Sequence, residues 1–204
     1  MAPRTPPSPP PRAQRRDANP NAREAILLSA KRRAQLHGYG GLKLRELAEE
    51  VGIKAASIYY HFPGKADLAT AVARRYWEDG AAALEAIAEE SPRPIDALGR
   101  FPEIFRRSLE ADNRLCLGSV MAAETDNLPA EVRSEIRLFA DVNIAWLGRL
   151  LVAAKVCEAD AAEARARAIF AAVAGAQMLA RGRSDIALFD ALVDSYRVAG
   201  LLPA

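Results

Sequence analysis

The sequence predicts an all-α chain, and three observations carry that prediction. Apolar residues recur at spacings of three and four along most of the chain after residue 20, the period of helices with one buried face. Aromatic residues make up only 6% of the 204 positions and alanine is abundant, which favours close-packed helices. Alternating β-branched runs bounded by turns are absent. Half of the residues are hydrophobic, enough to build a core in one medium domain or two small ones.

Residues 1–20 hold seven prolines and four arginines and almost nothing large and apolar, so they read as a disordered or polyproline-like arm. Arg12, Arg15 and Arg16 stand just before the first helix. Such residues can follow a phosphate backbone or enter a minor groove. The other reading is a solubilising tail, and that is the reading for Arg4.

Asn21 is a candidate cap for a first helix that runs to about His37. Ile26, Leu27, Ala30 and Ala34 share its inner face, while Lys31, Arg32 and Arg33 lie off it, and Gly38 ends it. The next helix carries Leu44, Leu47, Ala48 and Val51 on one side. Gly52 stops it, because glycine tolerates the positive φ of a tight turn. Ile53 is placed to plug the gap before a short helix from Ala55 to Phe62. There Ile58 and Phe62 face inward and leave Ser57, Tyr59, Tyr60 and His61 to point elsewhere. This is a helix-turn-helix whose second helix has the small, polar start suited to a major groove. Base-edge candidates are Lys54, Ala55, Ala56, Ser57 and Tyr60: lysine can donate to guanine, alanine can meet the thymine methyl, and serine serves either role.

A long helix is predicted from Lys65 to about Glu90, striped by Leu68, Val72, Tyr76, Ala83, Leu84 and Ile87, and broken by Ser91-Pro92-Arg93-Pro94. Because that stripe runs without a loop, the domain boundary falls inside the helix, between a front part at 21–66 and a rear part at 67–204. Five more helices follow, about nine in all. Ile95 to Glu110 carries Leu98, Phe101, Ile104, Phe105 and Leu109, with an interruption expected at Pro102. Leu115 to Glu124 is short. A long helix opens at about Pro129. Ala159 to Arg181 is alanine-rich, and Ile186 to Ala199 closes the fold.

The formal charge of +2 hides an asymmetry. Residues 1–65 hold 12 Lys+Arg against 5 Asp+Glu, a balance of +7, and the remainder holds 16 against 21, or −5. A basic front with an acidic rear fits a front that meets phosphate, the alternative being a solvated basic face. No apolar run approaches the roughly 20 residues that span a membrane. With only Cys116 and Cys157, a cytoplasmic, reduced setting is expected and a structural disulfide is not. An enzyme is not expected either. His37 and His61 lie in the front part without a serine or cysteine partner, no glycine-rich phosphate loop is present, and no spacing matches a metal site. No cofactor is expected.

Several of these residues form a longer pattern: Gly38-Tyr39, Leu44-Arg45-Glu46-Leu47-Ala48, Val51-Gly52-Ile53 and Ser57-Ile58-Tyr59-Tyr60-His61-Phe62-Pro63-Gly64-Lys65. This pattern, which spans residues 38–65, resembles the DNA-binding domain of the TetR family of bacterial transcriptional regulators. The resemblance implies phosphate contacts from Tyr59 and Lys65, and a helix start at Lys65 favours an anion in any case. For His61, a packed or phosphate-facing role stands beside base reading. Three positions depart from the family pattern. Lys43 replaces the threonine that caps the second helix, so the cap is lost while a phosphate contact can remain. Ala34 replaces a phenylalanine, and Ala55 a lysine or arginine of the recognition helix.

By the same resemblance, the rear part is a ligand-binding and dimerisation domain whose last two helices pair with their copies, and the small residues of 161–182 suit that role. A homodimer sets two recognition helices roughly 34–36 Å apart over a palindromic operator in double-stranded DNA. Candidate residues for a small-molecule effector pocket are Phe101, Phe105, Leu115, Cys116, Val120, Met121, Phe139, Asn143 and Trp146. Cys116 sits at a predicted helix start two residues from Arg114, and both features stabilise a thiolate. The segments Ala122-Ala123-Glu124 and Leu128-Pro129-Ala130-Glu131-Val132 resemble a subgroup of the family in which some members sense electrophiles or unsaturated acids through a cysteine. The other reading of Cys116 is a small buried apolar residue. Cys157, beside Glu158 in an expected loop, reads as incidental. The implied function is a repressor released by a small molecule or electrophile. The alternatives are a ligand-independent DNA-binding protein and a helical carrier or interaction module.

Overall fold

The computed structural model describes residues 20–203. The arm, with Arg4, Arg12, Arg15 and Arg16, lies outside these residues. All regular elements among them are helical. They are α1 (Pro20–His37), α2 (Leu44–Val51), α3 (Ala55–His61), α4 (Lys65–Glu90), α5 (Pro94–Arg100), α6 (Glu103–Glu110), α7 (Leu117–Ala123), α8 (Ala130–Ala153), α9 (Ala159–Arg183) and α10 (Ile186–Val198). Short 3-10 turns lie at Tyr39–Gly41 and Thr125–Asn127.

Local chemistry accounts for the boundaries. The first helix begins at Pro20, so Asn21 lies inside its first turn and is not its cap. Proline favours that position because its missing N–H has no partner to lose there. The helix expected over Ile95–Glu110 is divided, with Phe101 and Pro102 between α5 and α6. Pro102 cannot donate to the preceding turn. Gly52 ends α2 in the left-handed region, at φ 75°.

Two cores form, and they do not divide at the chain position where the front and rear parts were expected to meet. The front core gathers Ile26 and Ala30 of α1, Leu47 of α2, Ile58 of α3 and Leu68 of α4. It also takes in Leu117 and Met121 of α7 and Val132 of α8. The rear core packs Leu84 and Ile87 of α4 with Phe101, Phe105, Trp146, Ile169 and Phe189. Helix α4 therefore belongs to both cores. Its N-terminal half holds the front bundle and its C-terminal half is anchored in the rear. Glu135, buried on α8, ties the middle of α4 through Arg74 at 2.7 Å and the Trp77 indole N–H at 2.8 Å.

Candidate nucleic-acid interface and cavity

The helix-turn-helix is closed by backbone bonds within a short stretch of chain. The Ile53 N–H donates to the Ala48 carbonyl at 2.9 Å and turns the chain from α2 into α3. Ile58 and Phe62 are buried and fix the roll of α3. With those two inward, Lys54, Ala55, Ala56, Tyr59 and Tyr60 are exposed, Tyr60 most of all among the tyrosines at 64%. Ser57 and His61 are half-buried, and the His61 Nε2 is buried without a hydrogen-bond partner among the described residues. Lys43 precedes α2 in extended conformation without capping it, and its ammonium pairs with Glu46 at 2.9 Å. Arg45, part of the pattern that carries the resemblance, is exposed on the same helix. The Lys65 ammonium lies 4.2 Å from the centre of the Tyr39 ring.

Behind this surface, α7 joins the two parts of the chain. The Glu124 carboxylate accepts from the Tyr39 backbone N–H at 2.7 Å, and the Gln35 amide donates to the Leu115 carbonyl at 2.9 Å. Gly38 has φ 62°, and a side chain there would run into the Glu124 carboxylate. At the other side of α7, Gly118 lies against the Phe139 ring with no room for a methyl group. Both glycines are required by close approach, and nothing in their local sequence announced the partners.

Beside α7 a cavity of about 440 Å³ opens between α1, α4 and α6. Of the residues expected to line a pocket, Phe105, Cys116 and Phe139 do so. The structure places the others elsewhere. Phe101 and Trp146 stack in the rear core with ring centres 6.1 Å apart, and Met121 belongs to the front core. Asn143 is buried with its amide donating to the Phe139 carbonyl at 2.7 Å, and Leu115 and Val120 are half-buried outside the lining. The cavity's remaining walls include Leu28, Lys31, Gln35, Tyr76, Ile104 and Arg114. The contribution of α1, a helix of the front bundle, was not foreseen.

Cys116 is buried, in line with the second of its two readings. It caps α7, its Sγ accepting from the Ser119 N–H at 3.3 Å and lying 2.9 Å from the Ser119 hydroxyl. Burial pushes its thiol pKa up and outweighs the bonds from Ser119 and Gly118 that pull it down. Arg114 bonds Asp112 instead. The thiol is therefore held protonated, not activated. Burial also raises the Tyr76 phenol, with a smaller contribution from Cys116, so the floor of the cavity presents neutral hydroxyl and thiol groups.

A short helix anchored by two apolar residues, presenting small and aromatic side chains on a basic front bundle, defines a helix-turn-helix DNA-binding domain. The helices behind it form a second core with a cavity at the junction. Residues 26–72 match the family described as bacterial regulatory proteins, tetR family. The likeness to that family lies in the front part of the chain. It is 48% identical over 44 residues to the HTH-type transcriptional regulator LmrA of Bacillus subtilis, covering 22% of this chain and 23% of that protein. It is 38% identical over 73 residues to the HTH-type transcriptional repressor AcnR of Corynebacterium glutamicum, covering 36% of this chain and 37% of that one. These matches span less than two thirds of the curated relatives. Likeness in fold extends further. A TetR transcriptional regulator from Legionella pneumophila superposes with a TM-score of 0.81 at 27% identity, covering 90% of this chain and 98% of that one. The curated relatives are regulators and not enzymes. No helix among the described residues is long and apolar enough to cross a membrane.

Proposed function

We propose that this chain is a homodimeric, cytoplasmic transcriptional regulator that binds a palindromic operator and acts as a repressor. The observation that carries this reading is the exposed face of α3, with Lys54, Ala55, Ala56, Tyr59 and Tyr60 outward while Ile58 and Phe62 anchor it. Lys54, Ala55, Ala56, Ser57 and Tyr60 read base edges. Lys43, Tyr59, His61 and Lys65 serve the phosphates. The 21–66 and 67–204 division is kept as a division of roles, DNA contact in front and effector and partner behind, although α7 packs with the front. The α9 and α10 helices supply the dimer face, where Met178, Leu179 and Val198 are exposed.

A small molecule in the cavity releases the DNA by binding best to the spread state of the dimer. A hundredfold preference for that state shifts the balance by about 2.7 kcal/mol. Two paths carry the shift forward: the continuous helix α4, and α7 with its Glu124–Tyr39 bond. The ligand-independent alternative is disfavoured by the cavity itself, which has the size of a small-molecule site.

The test is selection of bound duplexes from random DNA, followed by footprinting and measurement of the mass of the complex. Two protected half-sites about 34–36 Å apart with two chains bound support the reading. Recovery of unrelated sequences, bound only through a salt-dependent attraction, contradicts it and favours the interaction module.

A further inference from the structure

We infer that the cavity between α1, α4 and α6 takes an organic anion with an apolar body, its charged end held by Lys31 and Arg114. This names the class of effector for the regulator reading and rests on it.

The walls define the apolar body. Tyr76, Ile104, Phe105 and Phe139 are among the walls of the cavity of about 440 Å³, a volume that suits a small molecule and not a peptide. The charged groups define the other end. Four cations line the cavity, Lys31, Arg32, Arg107 and Arg114, against the single carboxylate of Asp79. That carboxylate is already taken by Arg75 at 2.7 Å. Arg32 and Arg107 are exposed and have their own loose partners, Glu50 at 3.6 Å and Glu103 at 3.9 Å. Lys31 is different, because its ammonium rests 5.6 Å from the centre of the Tyr76 ring, a cavity wall. Arg114 is different again. Its side chain is only 15% exposed, and while its Nη2 pairs with Asp112, its Nε is buried without a hydrogen-bond partner among the described residues.

A buried guanidinium N–H left unmatched is costly, and a carboxylate is the partner whose geometry fits a guanidinium best. A cationic ligand would meet the same four charges unfavourably. A neutral one without an acceptor would leave the Arg114 Nε unmatched. Operator phosphates are not the anion in question, since α6 lies in the rear part and the exposed face of α3 lies on another element of the front bundle. Because Lys31 stands on α1 and Arg114 follows α6, an anion between them braces the front bundle against the rear core.

The experiment is calorimetric titration of the full chain with linear carboxylates of about six to about twelve carbons, below their micelle concentrations. The matching alcohols and alkyl trimethylammonium ions serve as controls. At the best length the carboxylate is expected to bind at least about tenfold tighter than the alcohol, with the ammonium weakest. Lys31→Met and Arg114→Met are each expected to remove that advantage. Ala83→Phe, which fills the cavity from α4, is expected to abolish binding. Thermal melts check folding, and if Arg114→Met does not fold, Lys31→Met at its half-exposed site carries the charge test. Three results overturn the proposal: no carboxylate binds at any length, the alcohol or ammonium binds as tightly, or Lys31→Met and Ala83→Phe both bind like the wild type. A parallel DNA titration separates the two readings. Carboxylate binding without release of DNA upholds the ligand class and removes the effector role. DNA binding without carboxylate binding removes the ligand class and leaves the regulator.

Discussion

The carboxylate of Glu124, at the end of α7, accepts a hydrogen bond from the backbone N–H of Tyr39 at 2.7 Å, across 85 positions of chain. Tyr39 opens the turn that leads into the helix-turn-helix, and its ring carries the Lys65 ammonium at the start of α4. One contact therefore joins the cavity-side helix to both ends of the DNA-binding motif. Glu124→Ala removes the only acceptor the described residues give to this N–H. A loss of about 1 kcal/mol in stability is expected, with faster hydrogen exchange at Tyr39 than at the α3 amides. Unchanged exchange at Tyr39 would show that α7 does not hold the motif.

The two glycines facing α7 are expected to be intolerant. Gly38→Ala meets both a left-handed backbone and the Glu124 carboxylate, and Gly118→Ala meets the Phe139 ring. Each is expected to lower stability by about 1–3 kcal/mol in urea denaturation. Gly80→Ala, where a methyl group has open space in the middle of α4, is the control expected to keep or raise stability.

Glu135 predicts an acid limb to the stability profile. Burial alone would raise its carboxyl pKa, but the Arg74 and Trp77 bonds outweigh burial and hold it below its ordinary value of 4.5. A depressed carboxyl contributes stability that is fully present above its unfolded pKa and is lost as pH falls through the folded one. Denaturation curves are thus expected to be flat for this group near neutrality and to weaken below about pH 4.5. Glu135→Gln is expected to be less stable near neutrality, with a shallower acid decline. An equal decline in both proteins would assign the acid limb elsewhere.

The cysteines are expected to react in an order opposite to one set by sequence neighbours. Cys116 is buried with its thiol pushed up, whereas Cys157 is half-exposed between α8 and α9. Iodoacetamide near neutral pH, followed by mass spectrometry, is expected to label Cys157 first. Prior labelling of Cys116 would restore the thiolate reading.

The front of the molecule was legible because its determinants are local. Gly52, Ile53, Ile58 and Phe62 lie within eleven positions and fix the turn and the inward face by themselves. The cavity was not legible, because its walls come from α1, α4, α6 and α8 and depend on how those helices are set against one another. Met121 was expected at a pocket but lies in the front core, since α7 folds back over the bundle through Leu117 and Met121. The thiolate reading of Cys116, one of two, relied on a helix start and on Arg114 being near in sequence. Asp112 and Asn113, both at positive φ, turn the chain after α6, Arg114 bonds Asp112, and Cys116 points into the core. Spacing along the chain reports which residues share a helix face, but not which of two cores that face will meet.

The most direct measurement is a fluorescence anisotropy titration of the selected palindrome against a scrambled duplex of equal length, at one fixed salt concentration. The palindrome is expected to bind at least about a thousandfold more tightly. Equal affinity for the two duplexes would contradict this, leaving α3 as a basic surface with no sequence to read.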